Sequence, residues 1–372
     1  MSLHGSSLLL LLLLASTLAA GDDGRSSPSK PIVVRLTKDP STSLYTISIK
    51  DGGAPLLVDL AGPLVWSTCA PGHPTVPSNS SECRIANRNN RPPANCVVIY
   101  ENGGQPQPQP GCDTADRHCS AYPYNPLLAS LPPGAAGVAG LSRLPLAPPS
   151  QAASALNLPR QFALCLPTGG GRSGAAIFGG GPFQLLAAPP VDVADGLLEH
   201  PLPLLRNPRN GAYYIRVTGI VVNNERVPLD LHARSGTGGV MLSTATPYTT
   251  LRPDIYRPLL AAFDAATSGI PRAEPVRLFE MCYQASALSS TRIAASAGGS
   301  SWLLAGNASL VQVNDHTVCF AFLEMGPSST DDGGGSLFAG GHLWWEAFGF
   351  RGPLPFIRTN CGNFDFNNGY LH

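Results

Sequence analysis

Apolar and polar residues alternate through "PIVVRLTKD" (31–39) and "LYTISIKDG" (44–52), the two-residue period of half-buried strands. "LLVDLAGPLVWST" (56–68) reads as two apolar strands joined by a tight turn at Gly62. "GVAGLSRLPLAPPSQAASAL" (137–156) predicts a strand, a turn and a short helix, and "RQFALCLP" and "GAAIFGGGP" predict further strands. "AYYIRVTGIVVNNERVPL" (212–229) predicts a hairpin about Asn223-Asn224, because paired Asn residues tolerate the left-handed backbone of a two-residue turn. The period then changes. After Pro253, Tyr256, Leu259, Leu260 and Phe263 recur at helical spacing, with the proline suited to a first turn. "HTVCFAFLEM" and "SLFAGGHLW" close the pattern as strands.

Composition agrees with many short strands joined by turns. Gly (40) and Pro (37) make up about a fifth of 372 residues, and charged residues are only 13%. The 24 basic and 24 acidic residues cancel, and no basic run occurs, so neither nucleic acid nor an anionic membrane is an expected partner. Lysine is confined to Lys30, Lys38 and Lys50, so the positive charge is mostly Arg.

The first 20 residues carry a leucine run (Leu8–Leu14) followed by Ala19, Ala20 and Gly21, the pattern of a signal peptide cut near Ala20. A secreted chain accounts for nine cysteines as disulfide candidates: Cys69, Cys83, Cys96, Cys112, Cys119, Cys165, Cys282, Cys319 and Cys361. Nine is odd, so at least one thiol lacks an intrachain partner. No C-x-x-C spacing occurs and the histidines are scattered, so neither a metal nor a cofactor is expected. Asn79 and Asn307 head glycosylation sequons. Residues 70–126, with "QPQPQPG" at 105–111, read as a loop region held by disulfides.

The halves echo one another. Asp59-Leu60-Ala61-Gly62 precedes Val138-Ala139-Gly140-Leu141, and Ser235-Gly236-Thr237 precedes Phe338-Ala339-Gly340-Gly341. A duplicated β lobe is the expectation, with residues 21–205 forming the first lobe and 206–372 the second.

These motifs resemble the pepsin-like aspartic proteases. They are more similar to one plant branch, the TAXI-type xylanase inhibitors, with dermal glycoprotein and basic 7S globulin as relatives. "TKDPSTSLYTISIKDGGAPLLVDLAGPLVWSTC", "HCSAYPYNP", "LASLPPGAAGVAGLSRLPLAPPSQ", "FALCLPTGG", "AIFGGGP", "GGVMLSTATPYTTLRPDIYRPL" and "CGNF" carry the resemblance across nearly the whole mature chain. It implies a mainly β, bilobal pepsin-like fold with a few short helices.

An aspartic protease needs two carboxylates sharing one proton across a water. Asp59 stands at the first position. Aligned on "HARSGTGG", the second is Arg234, which would pair with Asp59 and could not exchange a proton with it. Asp230 lacks the turn that should follow. Asp59 is therefore read as a structural carboxylate bonded to amides of its own loop.

The resemblance further implies a secreted protein of the apoplast or cell wall, acting as a monomer in defence. Its partner would be a microbial xylanase, whose two-carboxylate cleft it plugs. Leu288, in the loop after Cys282-Tyr283, matches an apolar plug residue of the inhibitors. Their tail histidine has no counterpart: "LPFIRTNCGNF" offers Phe356 or Ile357 there, with Arg358 as the nearest cation. Two stretches are shorter than the family pattern, after "YPYNP" and around "FAGGHLWWEAFGFRG". The alternatives are an active aspartic endopeptidase and an extracellular binding or storage glycoprotein.

Overall fold

The computed structural model describes residues 30–49, 52–68, 81, 100–102, 105–107, 119–120, 131–167, 173–179, 184–185, 191–192, 204–206, 211–217, 219–229, 239–276, 278–287, 295–297, 302–304, 309–325, 337–339, 346–351, 356–360, 364–365 and 370–371. Strands dominate. The two α-helices among the described residues longer than one turn are α1 (Pro148–Leu156) and α2 (Pro253–Ala266), each starting on a proline that has no amide hydrogen to satisfy. Helix α2 buries Tyr256, Leu259 and Phe263 of the face its spacing predicts and Ile255 besides, while Leu260 is half-buried.

Ten strands make the largest sheet. In chain order they are β1 (Ile32–Lys38), β2 (Tyr45–Ile47), β3 (Leu56–Asp59), β4 (Val65–Thr68), β5 (Cys119–Ser120), β6 (Gly137–Gly140), β7 (Gln161–Cys165) and β8 (Ser173–Phe178), then two late strands. A second, six-stranded sheet contains β9 (Leu204–Arg206), β10 (Tyr213–Arg216), β11 (Gly239–Leu242), β12 (Thr249–Leu251), β15 (Phe322–Glu324) and β16 (Leu337–Ala339). Between these in sequence, β13 (Cys282–Gln284) and β14 (Thr317–Phe320) pair in a smaller sheet. The late strands, β17 (Glu346–Arg351) and β18 (Phe356–Asn360), return to the first sheet, where β17 pairs with β7.

The order of the first sheet is therefore β18-β17-β7-β8-β1-β2-β3-β6-β4-β5. Its register aligns Phe356, Phe350, Phe162, Phe178 and Ile32 in one row across five strands. Phe162 and Phe178 are buried, and Phe162 also meets the Tyr213 ring edge-on at 5.9 Å. One hydrophobic cluster runs from Val34, Leu36 and Leu164 to Tyr213, Leu242, Phe263 and Phe320, so both halves share a core. "HTVCFAFLEM", expected as one strand, is broken at Ala321, whose amide hydrogen bonds the Ser309 carbonyl. Its pieces, β14 and β15, serve different sheets.

The Asn223-Asn224 hairpin forms as expected, with φ of 46° and 68° and Val222 opposite Glu225. A second turn is less comfortable. Phe279 N–H donates to the Val276 carbonyl at 2.8 Å, and Leu278 between them has φ 81°. That backbone suits glycine, because a Cβ there crowds the main chain.

Burial pushes the Tyr45 and Tyr213 hydroxyls far above the ordinary phenol range and, aided by the nearby Glu280, pushes Tyr256 up to about 12. These groups are neutral in both states below the unfolded value of ~10. The stability that depends on their neutrality is complete there and is lost as pH rises through the folded values. In an alkaline titration followed by phenolate absorbance, exposed tyrosines should ionise near pH ~10. Tyr45, Tyr213 and Tyr256 should ionise only together with loss of the folded near-UV signal. Smooth ionisation of all ten tyrosines before unfolding would contradict this packing.

Candidate functional site

Asp59 ends β3 and is fully buried. Its carbonyl accepts from Gly62 N at 3.1 Å and Leu141 N at 2.7 Å, and its Oδ1 accepts from Ala61 N at 2.9 Å. The carboxylate thus bonds an amide of its own turn, as the sequence suggests. Strand β6 runs parallel beside β3, with Gly140 opposite Asp59. A Cβ on Gly140 would stand 2.4 Å from the Gly62 carbonyl oxygen and 2.6 Å from that of Leu64. The glycine of "GVAGL" is therefore required by the close approach of the Asp59 loop.

The second half repeats this construction in register. Leu57 pairs with Val138 in parallel, and Trp66 pairs with Val138 from the other side. Met241 pairs with Phe338 in parallel, and Thr250 pairs with Phe338 from the other side. Leu57 and Trp66 flank Asp59 at the same offsets as Met241 and Thr250 flank Ser243, so Ser243 is the counterpart of Asp59. It too is fully buried, and its Oγ accepts from Ala245 N at 3.3 Å, as Asp59 Oδ1 does from Ala61 N.

Arg234, which the sequence reading sets at this position, lies outside the described residues, as does Asp230. The register gives the position to Ser243 instead. "RSGTG" imitates the letters of the turn, but the strand that must run into it is the later apolar segment Val240-Met241-Leu242. Ser243-Thr244 after that segment, seven residues before a strand position as Asp59 is, was the available signal.

Thr244 joins the two loops. Its Oγ1 donates to the Val58 carbonyl at 2.6 Å and accepts from Leu60 N at 3.2 Å, all within the buried interior. Thr246 Oγ1, also buried, has no hydrogen-bond partner among the described residues. A second junction lies alongside. Arg143 N–H donates to the Gly211 carbonyl, and its Nη1 donates to the Ala212 carbonyl at 2.8 Å. The Arg143 guanidinium covers the Tyr213 ring at 4.3 Å, and the Tyr213 hydroxyl donates to the Leu141 carbonyl at 2.9 Å.

Three of the nine cysteines are disulfide-bonded among the described residues. Cys282 and Cys319 are linked directly across β13 and β14, and Cys165 is also bonded. Cys119 lies on β5; Cys69, Cys83, Cys96, Cys112 and Cys361 fall outside the described residues, as do Asn79 and Asn307.

Leu288 also lies outside them. Phe356, Ile357 and Arg358 are not in a loose tail: they lie in β18, opposite Phe350, Gly349 and Phe348. Phe356 belongs to the phenylalanine row. Arg358 aligns with Phe348, Leu164, Ala176 and Val34, and Ile357 with Gly349, Ala163, Ile177 and Val33. No group of three or more His, Cys, Asp and Glu is placed to hold a metal among the described residues, and no helix there is long and apolar enough to cross a membrane.

Residues 118–180 match the family described as xylanase inhibitor N-terminal, and residues 212–344 match xylanase inhibitor C-terminal. Chitinase CLP of Oryza sativa subsp. japonica is 36% identical over 436 aligned positions, covering 98% of this chain and 99% of that one. The chain belongs to the TAXI-type xylanase-inhibitor family of pepsin-like proteins. A probable aspartic proteinase, GIP2 of Nicotiana benthamiana, is 26% identical over 91% of this chain and 92% of its own. Among solved structures, edgp superposes with a TM-score of 0.67 at 25% identity, covering 90% of this chain and 95% of that one. An aspartic proteinase from Irpex lacteus superposes at 0.55 with 13% identity, over 88% and 97%, and shares the fold. The 436 positions aligned with the rice protein exceed the 372 residues here, so at least 64 of them have no counterpart in this family member.

Proposed function

We propose that this family member is a secreted, proteolytically inactive protein that inhibits a microbial endo-xylanase by plugging its cleft. The observation that carries the inactive part is the register match between Asp59 and Ser243. An aspartyl dyad works because two carboxylates hold one proton between them and pass it to and from the substrate. A serine hydroxyl neither shares that proton nor returns it at acid pH. The Thr244 bonds keep the two loops joined, so the scaffold is retained without the second carboxylate. The endopeptidase reading, which the Nicotiana relative's name favours, meets its difficulty at Ser243.

For the target, the reading rests on family membership and on Leu288 as the apolar plug. Arg358, in the terminal strand of the sheet, supplies the cation directed at the hydrolase carboxylates. Phe356 and Ile357, in the same strand, are the further candidate contacts. The protein acts as an extracellular monomer, and the disulfides and the leucine-rich leader support that location.

The rice relative's name favours a second reading, a protein that recognises or cleaves chitin. Of the described carboxylates, Glu280 and Glu324 lie together, but both are engaged by Arg257. An acid and a base for glycoside hydrolysis would each have to be free of such a clamp. Passing the purified protein over immobilised fungal retaining xylanase and over chitin beads separates the two. Retention on the enzyme alone is expected. Retention on chitin alone, with release of chito-oligosaccharides, would replace the inhibitor reading.

A further inference from the structure

Leu278 combines two unfavourable features. It is 66% exposed, against 41% for Val33, the other large apolar residue exposed among the described residues. It also holds φ 81° at the third position of the Val276–Phe279 turn, where glycine or asparagine fits without strain. Neither feature helps the fold: the side chain buries little, and the turn would form more readily without it.

The chain that follows the turn is nevertheless firmly held. Phe279 is buried, packs edge-on against Tyr248 at 5.0 Å, and joins the cluster around Cys282 and Cys319. Glu280 accepts from Arg257 at 2.7 Å, and the same guanidinium holds Glu324 on β15. The disulfide to β14 follows at once. A strained conformation persists where its surroundings over-determine it, and such places are binding sites more often than chance would put them there.

We infer that Leu278 is a binding residue, a preset apolar tip that enters a recess on a globular protein partner. The partner is the glycoside hydrolase of the proposed function, so the inference rests on that reading. The surroundings fit a protein rather than a lipid surface. Exposed Arg272 and Glu274 precede Leu278 in the chain, and exposed Glu280 follows it and pairs with exposed Arg257, so charges of both signs flank one apolar residue. Lipid would require a broad apolar face, which these four charges interrupt. Because the tip is already fixed, little conformational freedom is lost when it docks.

The test compares wild type with Leu278→Gly and Leu278→Asn, measuring melting temperature, oligomeric state and inhibition of a fungal retaining xylanase. Relief of the turn should raise the melting temperature by about 1–3 °C. Half-inhibition should require at least ~10-fold more of either variant, the scale of one lost interface anchor. Raised melting temperatures with inhibition unchanged would overturn the inference and leave the inhibitor reading standing. Lower melting temperatures would overturn it as well, since Leu278 would then support the fold. So would a wild-type dimer that the variants split, because the occupant would be a second copy of this chain. A folded wild type that leaves the xylanase fully active would overturn both this inference and the reading beneath it.

Discussion

Thr244→Ala should destabilise the protein by about 2–6 kcal/mol, because it leaves Leu60 N–H and the Val58 carbonyl buried without their partner and each orphaned group costs ~1–3 kcal/mol. Thr244→Val should cost nearly as much, although it fills the same space, since it restores neither bond. Thr244→Ser should keep both bonds and most of the stability. Denaturant unfolding of the three variants separates these cases. If valine and serine behave alike, the site is one of packing and the hydrogen-bonded link between the halves is not what holds the loops. The residue matters for function because it fixes the Asp59 loop against the Ser243 loop, the place where a pepsin-like enzyme keeps its dyad.

Replacing both Cys282 and Cys319 with alanine should cost about 3–4 kcal/mol on loop-closure entropy, given a sequence separation of 37. Both residues are buried, so the lost side-chain packing adds to that figure. The effect should appear as a lower denaturation midpoint. The disulfide closes the segment from Cys282 to Cys319 and anchors β13 just after the Leu278 turn, so the variant should also weaken any binding that depends on the turn. A midpoint within error of wild type would mean that β13, β14 and the Phe279 cluster hold that segment without the bond.

Local chemistry made much of the fold readable. The alternation of β1, the Pro-started helices and the Asn223-Asn224 turn each depend on residues adjacent in sequence. So does Asp59, because an Asp at the end of an apolar strand before a tight turn has amides of its own loop at hand. Non-local features were harder to read. The return of β17 to β7 depends on a pairing between residues 346–351 and 161–165, and nothing local in "EAFGFR" names its partner strand. Phe356 and Arg358 read as tail residues because their rows exist only once that pairing forms. Ser243 was missed because Ser235-Gly236-Thr237 matched the expected letters, while the position in register with Asp59 holds a serine and is marked only by its strand pairing. Leu278 gave no signal in sequence: a leucine in a turn is unremarkable until its φ is known.

In the proposed function a pepsin-like scaffold plugs the cleft of a glycoside hydrolase. The most direct measurement is a titration of purified, monomeric protein into a fungal retaining xylanase, read as residual activity. A saturable loss near one-to-one stoichiometry is expected. Full residual activity at a large excess of folded, protease-resistant protein would contradict it.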